Sequence, residues 1–213
     1  MTAKVSVAGG FELSSELAHV EVGELSIERA QVAMAGTGGA DIIYSDPPWG
    51  AGNLKYWRTH NGELESRPDW AVFMATFCQV VAEHRKPSAP VFIEMGQRWA
   101  DELARAMDAV GIVEAARWTA FYGSPKRPNV LWFSGPLVPE SLILSGGDVM
   151  TMSALRSVAR PNAVVLDPCC GKGMTARCAL KLGMRFRGVE LNPKRAAVTR
   201  TWCESWAKRK PAT

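Results

Sequence analysis

No cysteine in this chain belongs to a CxxC pair. The five present, Cys78, Cys169, Cys170, Cys178 and Cys203, fall at irregular spacings. An odd count without regular spacing argues against a disulfide framework and against a structural zinc site, and leaves reduced thiols in a cytoplasmic protein as the expectation. Only three histidines occur, His19, His60 and His84, and they have no metal-ligand spacing, so no metal is expected,. No apolar run is long enough to cross a membrane. Residues 1–10 lack the charged start and long apolar core of a secretion signal,. Repeats, low-complexity blocks and an interdomain linker are also missing, so the 213 residues read as a single domain,. Neither sign of charge dominates: 25 Lys and Arg stand against 21 Asp and Glu. That mild excess permits a polyanionic partner without requiring one.

What is present is an alternation of strand-like and helix-like segments, the mark of an α/β protein with a parallel-rich sheet. Strands are expected at residues 18–23, 41–45, 91–95, 112–122, 129–134 and 185–191, with a further one leading through 162–166. Helical spacing covers 26–35, 70–84 (with Asp69 as its cap), 97–110, 150–159, 174–182 and a terminal stretch from 193 to about 208,. Gly, Ser and Pro cluster at 123–128 and predict a hairpin between two strands,. Residues 51–68 read as a polar loop.

Two segments carry chemistry. The first is a strand, a turn with Gly171 and Gly173, a helix and a second strand ending in Glu190. Glycines allow close backbone approach to a ligand, and an acid after the second strand suits a ribose diol. The turn lacks the GxGxxG of a pyrophosphate site. Asp167 at the top of the first strand suits a cofactor bearing an amino-acid ammonium group, which favours S-adenosyl-L-methionine over a nicotinamide dinucleotide. The second segment is Asp46-Pro47-Pro48-Trp49, directly after a buried strand. An exocyclic amino group on a base is a weak nucleophile because its lone pair is delocalised into the ring. Two fixed acceptors, the Asp46 carboxylate and the Pro47 carbonyl, would favour a tetrahedral nitrogen. The prolines hold both acceptors in place in advance, and Trp49 offers a face on which an extruded base can stack.

Asp46-Pro-Pro-Trp49 resembles the (D/N/S)PP(Y/F/W) motif of amino-group nucleic-acid methyltransferases. Asp167-Pro-Cys-Cys-Gly-Lys-Gly173 is similar to their cofactor motif, usually DPFxGSGTT, and Glu190-Leu-Asn-Pro193 to their E-x-N-P. With the catalytic motif first and the cofactor motif last, the chain resembles the circularly permuted beta class of DNA methyltransferases from about residue 16 to 206. The resemblance implies a Rossmann-like fold of about seven strands with one antiparallel hairpin. It also implies S-adenosyl-L-methionine as cofactor and transfer to N6 of adenine in DNA. Asp46 to Trp49 would be catalytic, including Pro47 and Pro48, and Asp167, Cys169, Gly171, Gly173, Thr175, Glu190 and Asn192 would bind the cofactor. Cys169 stands where the family usually has Phe, Lys172 replaces Ser and Met174 replaces Thr. Asp46 in the first motif position favours adenine N6. RNA adenine N6 and DNA cytosine N4 remain alternatives, as does a catalytically inactive nucleic-acid-binding regulator. No separate target-recognition domain fits between the motifs. The loops at 51–68 and 123–128 are therefore the expected DNA readers, with Lys55, Tyr56, Trp57, Arg58, Lys126 and Arg127 as contacts. A monomer or homodimer is expected.

Overall fold

Alternating burial sets the sheet. In β2 (Ile42–Ser45), Ile43 enters one core while Ile42 and Tyr44 enter the other. In β3 (Val91–Gly96), Val91, Ile93 and Met95 face the first core and Phe92 the second. In β5 (Pro128–Ser134), Val130 and Trp132 oppose Leu131 and Phe133. Both faces are apolar, so both must be covered, and helices cover them. The computed structural model describes residues 16–60, 69–121 and 128–209.

Besides these strands there are β1 (Ala18–Val22), β4 (Ala116–Phe121), β6 (Val164–Asp167) and β7 (Arg185–Glu190). They form one seven-stranded sheet in the order β1-β7-β6-β2-β3-β5-β4. The first five strands run parallel, and β5 is antiparallel to both β3 and β4. This is the Rossmann-like arrangement expected, with β4 and β5 as its antiparallel pair. The joint between β4 and β5, including Lys126 and Arg127, lies outside the described residues.

The helices are α1 (Ile27–Ala33), α2 (Ala51–His60), α3 (Trp70–His84), α4 (Ala100–Asp108), α5 (Asp148–Val158), α6 (Met174–Lys181) and α7 (Pro193–Arg209). Phe77 and Val81 of α3 with Leu103 and Met107 of α4 fill the first core. Met150 and Leu155 of α5 with Cys178 of α6 fill the second. Each such buried apolar side chain contributes roughly 1.5–3 kcal/mol. Asp69 caps α3 as expected: its Oδ1 accepts from the Ala71 and Val72 N–H groups at 2.9 and 3.3 Å,.

Three expectations are corrected. Residues 51–60, expected as loop, are helix α2. Leu54, Trp57 and Arg58 form an i, i+3, i+4 stripe facing the protein, and only Leu54 of these is buried, so the helical period is faint,. The helix expected at 97–110 divides into a 3₁₀ turn, Gln97–Trp99, followed by α4. The strand expected from 112 begins at Ala116. Among the described residues no helix is long and apolar enough to cross a membrane, and no cluster of His, Cys, Asp and Glu could hold a metal.

Candidate active site

The two chemical segments meet at the centre of the sheet. β2 and β6 are parallel neighbours, and the sheet continues from them in opposite directions, from β2 to β3 and from β6 to β7. A crevice opens at the carboxyl ends of strands where the order diverges in this way. Ser45 ends β2 and Asp167 ends β6. The Ser45 hydroxyl donates to Asp167 Oδ1 at 2.7 Å, across 122 positions of sequence. The same carboxylate accepts from the Cys169 N–H at 3.0 Å and the Thr175 hydroxyl at 2.6 Å. The loop starting at Asp46 is thus tied to the glycine turn through its neighbour.

Above this seam lies a cavity of about 680 Å³. Asp46, Pro47, Pro48 and Trp49 line one wall; Pro168, Cys169, Glu190, Leu191 and Asn192 line another. Helix α2 contributes Asn53, Leu54, Trp57 and Arg58, and the start of α3 contributes Asp69, Phe73 and Thr76. Trp49 donates its Nε1–H to Asp46 Oδ1 at 2.9 Å, so the aromatic and the acid orient each other. Glu190 accepts from the Gly171 N–H through Oε2 at 2.7 Å and from the Asn192 N–H through Oε1 at 2.9 Å. Each carboxylate oxygen has two acceptor sites, so Glu190 keeps capacity for a ligand diol. Asn192 uses its side-chain oxygen to cap α7, accepting from the Lys194 and Arg195 N–H groups at 2.9 and 3.2 Å.

Burial shifts the acids at and behind the cavity wall. Burial is the main cause that raises Asp46 to about 7, and Asp167 adds repulsion, while the Trp49 N–H and Arg195 pull it down,. Burial likewise raises Asp167 to about 6, against the bonds from Thr175, Ser45 and the Cys169 N–H. Glu94 is fully buried in β3 and accepts from the Tyr44 hydroxyl at 2.5 Å and, weakly, from the Asn129 amide at 3.4 Å. Burial and then repulsion from Asp46 raise it to about 8. Glu94 and Asp46 therefore share a tendency to hold a proton near neutral pH.

The structure brings Asp46, Pro47, Pro48, Trp49, Cys169, Glu190 and Asn192 to one cavity, with Trp57 and Arg58. Asp167, Gly171, Gly173 and Thr175 do not line it. They are buried behind its wall: Asp167 is 2% exposed and its oxygens are bonded inside the protein. Lys55 and Tyr56 are exposed and do not line the cavity, unlike Trp57 and Arg58 on the inner side of α2. Sequence reasoning missed Asn53, Asp69, Phe73 and Arg195. The Arg195 guanidinium sits 4.2 Å from the Trp57 ring centre, and Arg58 pairs with Glu24 at 2.6 Å. These two contacts attach α2 over the cavity. The i, i+3, i+4 stripe of α2 is the signal that points to Trp57 and Arg58 as inward-facing.

No protein-family model and no curated protein matches this chain. Solved structures do. The proposed DNA modification methylase TTHA0409 of Thermus thermophilus superposes with a TM-score of 0.65 at 15% identity, over 92% of this chain and 97% of its own. The M1.HpyAVI–SAM complex gives 0.59 at 15%, over 86% of this chain and 100% of its own. PvuII DNA methyltransferase, cytosine-N4-specific, gives 0.61 at 14%, over 90% and 92%. At these identities the likeness is one of fold.

Proposed function

We propose that this protein is an S-adenosyl-L-methionine-dependent methyltransferase acting on an exocyclic amino group, namely N6 of adenine in DNA. One observation carries the reading: the Ser45–Asp167 hydrogen bond brings the acid-proline loop and the glycine turn to one cavity. An amino group and a nucleoside cofactor can meet only if those segments do. Solved structures of the same fold include the M1.HpyAVI–SAM complex, which supports the cofactor.

The residues present fit such a cofactor. Glu190 stands at the cavity wall with acceptor sites to spare, and Pro168 and Cys169 bring the start of the glycine turn to the same cavity. The volume suits a nucleoside-sized ligand with a base beside it. Glu190 would hold the ribose, and Cys169, Leu191 and Asn192 would border the nucleoside. Bound there, S-adenosyl-L-methionine supplies an electrophilic methyl group.

The protein's own groups prepare the amino nitrogen. The Asp46 carboxylate and the Pro47 carbonyl each accept one N–H, which draws the lone pair out of the ring. Trp49 holds Asp46 Oδ1 through its indole N–H, leaving Oδ2 for the amino group, and its ring gives the base a stacking surface,. As the new N–C bond forms, the nitrogen loses a proton, and Asp46 is placed to take it. A carboxyl raised to about 7 suits that duty,. The choice of adenine rests on Asp46 as the first motif residue.

Asp46 must be ionised to accept, and its pKa is raised, so activity grows as pH rises through it. We expect kcat/KM to climb between about pH 6 and 8 and then level, and Asp46→Asn to abolish the climb. A flat profile in the wild type would remove the acid from the mechanism. The substrate is tested by incubating the purified protein with labelled S-adenosyl-L-methionine and DNA, RNA or free nucleotides, then analysing the nucleosides. N6-methyladenine in DNA is expected. N4-methylcytosine, or label in RNA alone, would reassign the substrate. Cofactor binding with no transfer to any of them would favour a regulator.

A further inference from the structure

We propose that Arg195 anchors the carboxylate of the cofactor's amino-acid moiety, an inference that rests on the S-adenosyl-L-methionine reading above. Arg195 lies in the first turn of α7, where the Asn192 cap accepts its backbone N–H. Its guanidinium sits directly on the glycine turn: a methyl group added to Gly171 would come within 2.9 Å of Nη2. Gly171, at φ +55°, provides the space that this side chain fills. The guanidinium also lies over the Trp57 ring, 4.2 Å from its centre. The cation is therefore held between the cofactor turn and the inner side of α2, facing the cavity.

One of its donors is unused among the described residues. Arg195 Nε is buried and has no acceptor among the described residues. A buried donor of this kind is costly until an acceptor arrives. The proposed cofactor carries two positive groups, its sulfonium and its ammonium, and a single negative one, its carboxylate. Glu190, on the cavity wall, suits the hydroxyl portion. The guanidinium suits the carboxylate, which its planar fork can bind through two parallel hydrogen bonds. A DNA phosphate is the other anion available. Packing on the glycine turn beneath Trp57 places Arg195 with the cofactor rather than with a strand entering from solvent.

The test is calorimetric and needs no turnover. S-adenosylhomocysteine is compared with its decarboxylated analogue, which keeps the nucleoside, thioether and ammonium and lacks only the carboxylate. The wild type is expected to bind S-adenosylhomocysteine at least tenfold more tightly than the analogue. Arg195→Ala is expected to erase that preference by weakening the parent at least tenfold while changing the analogue less than threefold. Arg195→Gln, which keeps a polar side chain without the charge, should behave as Arg195→Ala does, and Arg195→Lys should restore part of the preference. Melting curves of the three variants establish that the fold persists. Equal weakening of both ligands, no preference in the wild type, or loss of oligonucleotide affinity alone would each overturn the assignment. If the wild type binds neither ligand, the cofactor reading itself fails.

Discussion

Replacing Asp46 with alanine will lower methyl transfer by at least about a hundredfold while leaving cofactor affinity within about threefold of wild type. The magnitude follows from losing a preorganised acceptor aimed at developing charge, which typically costs about 10²–10³ in rate. Cofactor affinity survives because Asp46 is not bonded to the glycine turn; Ser45 makes that connection. The fold survives as well. A carboxyl whose pKa is raised by burial is destabilising when ionised, so its removal relieves the folded state above neutral pH,. The sign is definite: stability linked to this group is present at low pH and declines as pH rises through about 7. Asp46→Ala should therefore melt no lower than wild type at pH 8. Labelled-methyl transfer, calorimetry and melting curves check the three statements together, and substantial activity in the variant would refute the assigned role.

Gly50→Ala will produce the largest loss of stability, about 3 kcal/mol, and lower Tm by roughly 6–12 °C. Gly50 has φ +89° and joins the acid-proline loop to α2. A methyl group there would lie 2.3 Å from Trp99 Cε2, with two more ring atoms within 2.6 Å. Trp99 cannot withdraw freely, because it packs against Trp70 with ring centres 5.5 Å apart. The strained backbone and the displaced indole both act on the segment that ends at Trp49. Activity should fall more steeply than the melting temperature alone explains. A variant with wild-type Tm would mean that α2 and Trp99 separate easily.

Most of the scaffold could be read from residues alone, because the signals were local. Asp69 followed by an apolar helical stretch marked the start of α3, and apolar strands punctuated by Gly and Pro marked the sheet. The meeting of residues 46–49 with the turn after Asp167 was legible too, since each motif demands the other's chemistry. Helix α2 was not. Its sequence holds Gly52, Asn53 and Tyr56, and its tertiary anchors, Trp57 on Arg195 and Arg58 on Glu24, come from distant segments. Arg195 was hidden for the same reason: beside Lys194 at a helix start it reads as a solvated charge, and only the folded chain lays it on Gly171. Asp167 was visible as an acid at the right place. Whether its oxygens would face a ligand or the interior depended on Ser45, far away in the chain.

The pairing of β2 with β6 also has a consequence for how the molecule comes together. β2 and β3 can associate early, but Ile42 and Ile43 gain Val165 and Leu166 as neighbours only after more than a hundred intervening residues have been synthesised. Closing so wide a loop is the slow, entropically demanding step of assembly. A nascent chain still lacking β6 would carry the acid-proline loop without the Asp167 acceptor that Ser45 reaches, so ligand-binding competence should arrive abruptly and late, together with amide-exchange protection along that central seam.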